Sequence, residues 1–262
     1  MEKNILLTIE YDGTNFHGWQ KQPEKRTVQG ELERVLQIVC GQEMKVEGTS
    51  RTDAGVHAYG QCASFKGELQ IPTDRLILAA NNLLNGGKNA IGQAGDVRII
   101  DAAEKPPEFH ARFDAKAKKY IYKISNESET DLFKRNYLYQ ITSPLDIRAM
   151  EEAAAHFVGT KDFKSFQASG GEEKKTTVRT IHDLTIVKEQ DPQHGAAQSL
   201  HIEITGDGFL YNMVRIIAGT LVEVGLGKKS PHDMPSVIES KDRQNAGHTA
   251  PPQGLYLAKV YF

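Results

Sequence analysis

The sequence predicts an α+β protein built as two halves, each running β-α-β-β-α-β with its strands in antiparallel sheets. Two kinds of pattern lead there. Short runs alternate apolar and polar residues, longer runs repeat apolar residues every three or four positions, and the two kinds follow the same order twice. The 262 residues suffice for one large domain or two ordinary ones, and a content of 39% hydrophobic and 25% charged residues suits a chain that buries a core.

The first half opens with ILLTIEY at 5–11, a loosely alternating strand. Thr27 caps an amphipathic helix in which Val28, Leu32, Val35, Leu36 and Val39 form one apolar face. MKVEGT at 44–49 and QCASF at 61–65 read as strands. Pro72 and Thr73 begin a second helix with Leu76, Ile77, Ala80 and Leu83 on one side, and DVRIIDA at 96–102 closes the half as a strand. Pro106 and Pro107 mark a linker near 103–110, so the halves are expected at 1–105 and 106–262. In the second half KKYIYKIS at 118–125 is a strand. A helix from Asp146 turns Ile147, Met150, Ala154 and Phe157 inward. TIHDLTIVKE and SLHIEIT form a strand pair joined by the polar DPQHGAAQ. A helix over 209–224 carries Leu210, Met213, Val214, Ile217 and Leu221, and GLYLAKVYF supplies the last strand. This order is that of ferredoxin-like and RRM-like domains, and a cleft where two such halves meet is the expected place for an active site.

Several classes of function are disfavoured. No run approaches the roughly 20 apolar residues that span a bilayer. The opening ILLTI is too short for a signal peptide and is followed by Glu10 and Asp12, so a cytoplasmic protein with no membrane partner is expected. Cys40 and Cys62 form no CxxC pair and read as small buried hydrophobes, and the scattered histidines show no metal-ligand spacing, so no metal site is expected. A net charge of −2 does not announce a nucleic-acid binder, but a local patch can still grip phosphates. The segment RFDAKAKKYIYK at 112–123, with Lys116, Lys118 and Lys119, is one candidate. The segment at 161–179 is another, and either can equally be a solvated charged face.

The densest chemistry lies in SRTDAGVHAYGQ at 50–61. Taken alone, Asp53 before a small residue and Gly55 is a turn former, Arg51 a surface charge and His57 a polar residue at a strand start. The string RTDAGVHA, however, is similar to the signature of the tRNA pseudouridine synthase A family. Other blocks resemble the same family in the same order: YDGTNFHGWQKQP at 11–23, FHARFDAKAKKYIYKI at 109–124, DFKSFQAS at 162–169 and TVRTI at 177–181. GDGFLYNMVRIIAGTLVEVGLGK at 206–228 and AGHTAPPQGLYLAKV at 246–260 complete a likeness that spans the chain.

The resemblance implies an isomerase converting uridine to pseudouridine at positions 38, 39 and 40 of the tRNA anticodon stem-loop, acting as a homodimer and without a cofactor. It makes Asp53 the catalytic carboxylate, as nucleophile or as base, and Arg51 the residue that helps push the base out of the stack. Tyr120 matches the tyrosine that stacks on the flipped uracil, Arg215 the arginine that pairs with the carboxylate, and Leu255 an apolar wall of the pocket. Lys116, Lys118 and Lys119 are the expected substrate-binding cations. The residue types suit the chemistry. An extruded base is held by stacking, and a neighbouring guanidinium keeps a carboxylate ionised. An arginine on an otherwise apolar helix stripe with Met213, Ile216 and Ile217 itself calls for a partner. Phe16 and Trp19 read as packing residues or as base contacts, Tyr122 as core or pocket wall, and Asp12 as a turn former. Three features depart from the family pattern: Ser50 where glycine is usual, a Gly/Asn-rich insertion near 85–95, and Asn212 in place of histidine, expected to be neutral on its helix. A non-catalytic RNA-binding relative would lack Asp53 or Tyr120. A nucleoside N-glycosidase would need a second carboxylate near Asp53.

Overall fold

The computed structural model describes residues 2–69, 71–86, 95–171, 175–190 and 198–262. The chain divides into two compact units, Met1–Lys116 with Leu257–Phe262, and Ala117–Tyr256. Both mix helices with mostly antiparallel strands.

In the first unit the elements are β1 (Glu2–Tyr11), α1 (Val28–Cys40), β2 (Glu47–Gly48), β3 (His57–Glu68), α2 (Thr73–Leu84) and β4 (Val97–Lys105). Strand β1 runs between β4 and β3, antiparallel to both, and β2 adds to β3. Ile5, Leu7 and Ile9 are buried, facing Phe65, Ala63 and Gln61 across the ladder. The expected N-cap holds. The Thr27 hydroxyl accepts from the Gly30 N–H at 3.3 Å, and Gly41, left-handed at φ 70, ends α1. The strand expected over 44–49 shrinks to Glu47–Gly48, because the Val46 N–H is taken by the Glu33 carboxylate at 3.2 Å and not by a neighbouring strand. The last residues of the chain return to this unit. A Cβ on Gly60 would meet the Ala258 carbonyl oxygen at 2.7 Å, and the Lys116 N–H donates to Tyr261.

The second unit holds β5 (Ala117–Ser125), β6 (Tyr139–Gln140), α3 (Ile147–Ala155), β7 (Gly159–Asp162), β8 (Val178–Gln190), β9 (Gln198–Gly206), α4 (Met213–Gly225), α5 (Met234–Glu239) and the start of β10 (Leu255–Tyr261). Its strands run β5-β9-β8-β7, antiparallel, with β6 parallel to β5. Tyr122, Ile124, Ile202 and Ile204 are buried, as are Met150, Ala154 and Phe157 from the α3 region and Ile216 and Ile217 from α4. Asp146 caps α3, its carboxylate accepting from the Ala149 N–H at 3.0 Å. The helix expected from 209 starts only at Met213, because Asn212 sits in the left-handed region at φ 59. Two short strands, β6 and β7, and helix α5 were not expected. A capping box at Ser230 and Asp233 with Pro231 between them was the available signal for a helical start there.

Residues 87–94 of the Gly/Asn-rich insertion and 191–197 of the polar connection lie outside the described residues. Among the described residues no helix is long and apolar enough to cross a membrane, and no group of three His, Cys, Asp or Glu could hold a metal ion. Cys62 is buried, and burial pushes its thiol up to about 11; Cys40 is half-buried.

Candidate active site

The loop joining β2 to β3 carries Arg51, which is exposed, and Asp53, which is half-buried. It is built as a tight turn. The Val56 N–H returns to the Asp53 carbonyl at 3.2 Å, and Gly55 takes φ 78. The opening segment at 11–23 packs along this loop and fixes it. Trp19 N–H donates to the Thr52 carbonyl at 3.0 Å, and the Tyr11 and Thr52 hydroxyls meet at 2.7 Å in a buried bond. Two glycines make the approach possible. A Cβ on Gly13 would lie 2.0 Å from the Val56 carbonyl oxygen, and one on Gly18, itself at φ 86, would lie 2.7 Å from that of Thr52. The Trp19 ring, 2% exposed, covers Gly48, and Arg26 lies 4.2 Å over the Phe16 ring. Both aromatics are buried and serve as packing residues.

His57 opens β3 and is buried. Its Nδ1 accepts from the Gly13 N–H at 3.1 Å, with the Asp12 carboxylate 3.2 Å away. Asp12 is the expected turn former, accepting from the Thr14 N–H at 2.9 Å. Before the turn, the buried Gln61 side chain donates to the Ser50 carbonyl at 2.7 Å, while the Ser50 hydroxyl is buried without a hydrogen-bond partner among the described residues.

In the second unit Tyr120 lies in β5, 8% exposed, with Phe209 edge-on at 5.2 Å. Tyr122, two positions on and therefore on the same strand face, is core. It is fully buried, its ring covers Gly254, and its hydroxyl donates to the Pro251 carbonyl at 2.8 Å. Burial holds the Tyr122 phenol well above its ordinary range, an effect the Arg215 charge partly opposes. Arg215, on the first turn of α4, donates from Nε to the Ala250 carbonyl at 2.8 Å and from a terminal nitrogen to the Asn212 side chain at 2.8 Å. Asn212 is thus no neutral helix position. It caps α4 in a conformation that asparagine tolerates, and it orients the guanidinium. Leu255 is buried just after the helical turn Pro252–Gly254.

Arg215, Tyr122 and the carbonyls of Ala250 and Pro251 thus form one connected set, with Tyr120 on the Tyr122 face of β5. The three lysines differ. Lys116 is exposed in the first unit, and Lys118 is half-buried on the Tyr120 face. Lys119 points from the opposite face of β5 and is ion-paired with Glu203 at 2.5 Å.

Comparison with known proteins identifies the family. The chain matches the profile of a family described as tRNA pseudouridine synthase over residues 7–114 and 153–262. The first stretch contains Arg51 and Asp53, and the second contains Arg215 and Leu255. Tyr120 falls between them. A relative from Caldicellulosiruptor bescii named tRNA pseudouridine synthase A is 46% identical over 260 residues, covering 99% of this chain and 100% of the relative. One of the same name from a Geobacillus species is 48% identical over 263 residues, covering 100% and 99%. A Clostridium tetani protein named tRNA pseudouridine synthase A 2 is 44% identical, with both chains covered in full. The chain belongs to the tRNA pseudouridine synthase family.

Proposed function

We propose that this protein isomerises uridine to pseudouridine at positions 38, 39 and 40 of the tRNA anticodon stem-loop. The observation that carries the reading is the tightly packed Asp53 loop in a chain that matches the family over both long stretches. In the reaction the bond from C1′ to N1 breaks, the uracil turns, C1′ bonds to C5, and the C5 proton leaves while N1 gains one. Atoms and charge balance with no redox or phosphoryl step.

Asp53 is the carboxylate that attacks the nucleotide or takes a proton from its sugar. Arg51, exposed on the same loop, suits the work of levering a base out of its stack. Tyr120 supplies the face against which uracil turns; a stacked base gains about 1–3 kcal/mol without sequence being read. Arg215, with two of its donors already oriented, serves as the cationic partner that keeps a carboxylate ionised. Leu255 forms an apolar wall. Lys116, Lys118 and Lys119 contact phosphates, Lys119 by exchanging Glu203 for the backbone. The β-α-β-β-α-β order of the first unit, and the same order in the second once β6, β7 and α5 are set aside and β10 is counted, support two ferredoxin-like copies, an N-terminal half at 1–105 carrying the aspartate and a C-terminal half at 106–262 carrying the tyrosine and arginine. A homodimer working in the cytoplasm on tRNA is the corresponding setting.

The test is release of tritium from anticodon-arm tRNA labelled at uracil C5, with product mapping, for the wild type and Asp53→Asn. Release by the wild type alone, mapping to positions 38–40 with no free uracil, is the expected result. Free uracil would turn the reading to a glycosidase, and binding without release to a tRNA-binding protein.

A further inference from the structure

The segment from Ala246 to Pro251, between α5 and β10, lies along α4 and touches it at every turn. At the near end the Ala250 carbonyl accepts from Arg215 Nε at 2.8 Å, and the Ala250 N–H donates to the Arg215 carbonyl at 3.1 Å. One turn on, the backbones meet with no side chain between them. A Cβ on Gly219 would lie 2.0 Å from the His248 carbonyl oxygen, and one on Gly247 would lie 2.6 Å from Thr220 Cα. The Thr220 hydroxyl accepts from the Gly247 N–H at 2.8 Å. At the far end a single Glu223 oxygen accepts from the His248 N–H at 2.8 Å and lies 2.9 Å from His248 Nδ1. Lys229 sits 3.8 Å from Glu223, and the Tyr139 hydroxyl 3.4 Å from His248 Nε2. Arg243 braces the outer side through the Gly247 carbonyl and the Thr249 hydroxyl.

We infer that Glu223 and His248 are positioning residues for Arg215: they latch the 246–251 segment onto α4, and the carbonyls of Ala250 and Pro251 then set the Arg215 guanidinium and the Tyr122 hydroxyl. The segment offers its two carbonyls to two different side chains, so a slide along α4 displaces both at once. The glycine contacts keep the segment close to the helix. The polar latch sets how far along it sits, since Glu223 takes both the N–H and the ring nitrogen of His248. Neither residue needs to touch substrate.

The inference rests on the proposed role of Arg215, and the experiment separates the two. Single-turnover tritium release and tRNA affinity are measured for Glu223→Ala, His248→Ala, Arg215→Lys and the Glu223→Ala/Arg215→Lys pair. Loss of a charge-assisted bond in the latch is expected to slow release about tenfold in Glu223→Ala and less in His248→Ala, with tRNA affinity unchanged and a modest fall in melting temperature. In the Arg215→Lys background Glu223→Ala should cost nothing further, because both act through one guanidinium. A structural role would instead multiply the two losses, and that result, or a wild-type rate in Glu223→Ala, overturns the inference. An Arg215→Lys enzyme at the wild-type rate overturns the role of Arg215 itself and the latch with it. Should Glu223→Ala fail to fold, the near-isosteric Glu223→Gln enters the same cycle, with about a threefold loss that must likewise vanish beside Arg215→Lys.

Discussion

Gly18→Ala is the sharpest probe of how the Asp53 loop is held. Gly18 sits at φ 86, where an L side chain costs about 1–2 kcal/mol. Its new Cβ would also lie 2.7 Å from the Thr52 carbonyl oxygen and 3.2 Å from the Ala54 nitrogen, both backbone atoms that cannot rotate away. Overpacking of this kind adds roughly 1–2 kcal/mol, for about 2–4 kcal/mol in all. Gly41→Ala is the matched control in the same unit. Gly41 has φ 70 but nothing within 4 Å of its would-be Cβ, so only the conformational cost of about 1–2 kcal/mol remains. In urea the Gly18 variant should unfold roughly 1 M earlier than wild type and clearly before the Gly41 variant. The carbonyl it displaces belongs to the residue before Asp53 and accepts the Trp19 N–H, so tritium release should fall at least about tenfold, while Gly41→Ala stays within about twofold. If the two variants behave alike in both assays, close approach of the 11–23 segment is not what holds Asp53, and the account of this loop fails.

Other consequences are open to simpler checks. Ser50→Ala removes a buried hydroxyl that has no partner among the described residues, so its stability in urea should equal that of wild type or exceed it by up to about 1 kcal/mol; a clear loss would mean the hydroxyl is bonded in solution. The Thr177 hydroxyl, together with Lys241, holds the Asp162 carboxyl below its ordinary range against the opposing effect of burial. Its folded value therefore lies below the unfolded one, so its stabilisation is complete above the unfolded value and is lost as pH falls through the folded value. Asp162→Asn should accordingly be less stable than wild type near neutrality and converge with it in strong acid, as read from urea midpoints across pH. Burial raises both thiols, that of Cys62 to about 11, so the native protein should react with a thiol reagent at pH 8 at Cys40 before Cys62, and at Cys62 only as it unfolds. Tyr122→Phe leaves the Pro251 carbonyl without its phenol partner and should cost about 1–3 kcal/mol in thermal denaturation.

Most of the elements were legible because their signals are local. Thr27 before an apolar stripe, Asp146 before another and the alternation in ILLTIEY each act within a few residues, and the structure keeps all three. Local pattern fails where a distant group intervenes. Val46 leaves the strand pattern because Glu33, on a helix, takes its N–H. The helix expected from 209 is shortened because Asn212 turns left-handed, and there its side chain accepts from Arg215. Asn212 read as neutral because nothing in the sequence says that its amide would meet a guanidinium one turn away.

The residue types of the site stand in the sequence itself: a carboxylate among Arg, Thr, Gly and His, an aromatic strand, and an arginine on an apolar helix stripe. Each needs a specific local chemistry, and resemblance to the family implies a role for each. What tertiary structure alone decided is how they are supported. That Gly13 and Gly18 let one segment lie against another at 52–56, that the 246–251 segment sets Arg215 through carbonyls, and that the chain's last residues return to the first unit all depend on contacts between residues far apart in the chain. A local pattern records propensity and periodicity. It does not record which backbone oxygen a remote glycine leaves room to approach, because that is fixed only when the packed chain excludes every other arrangement.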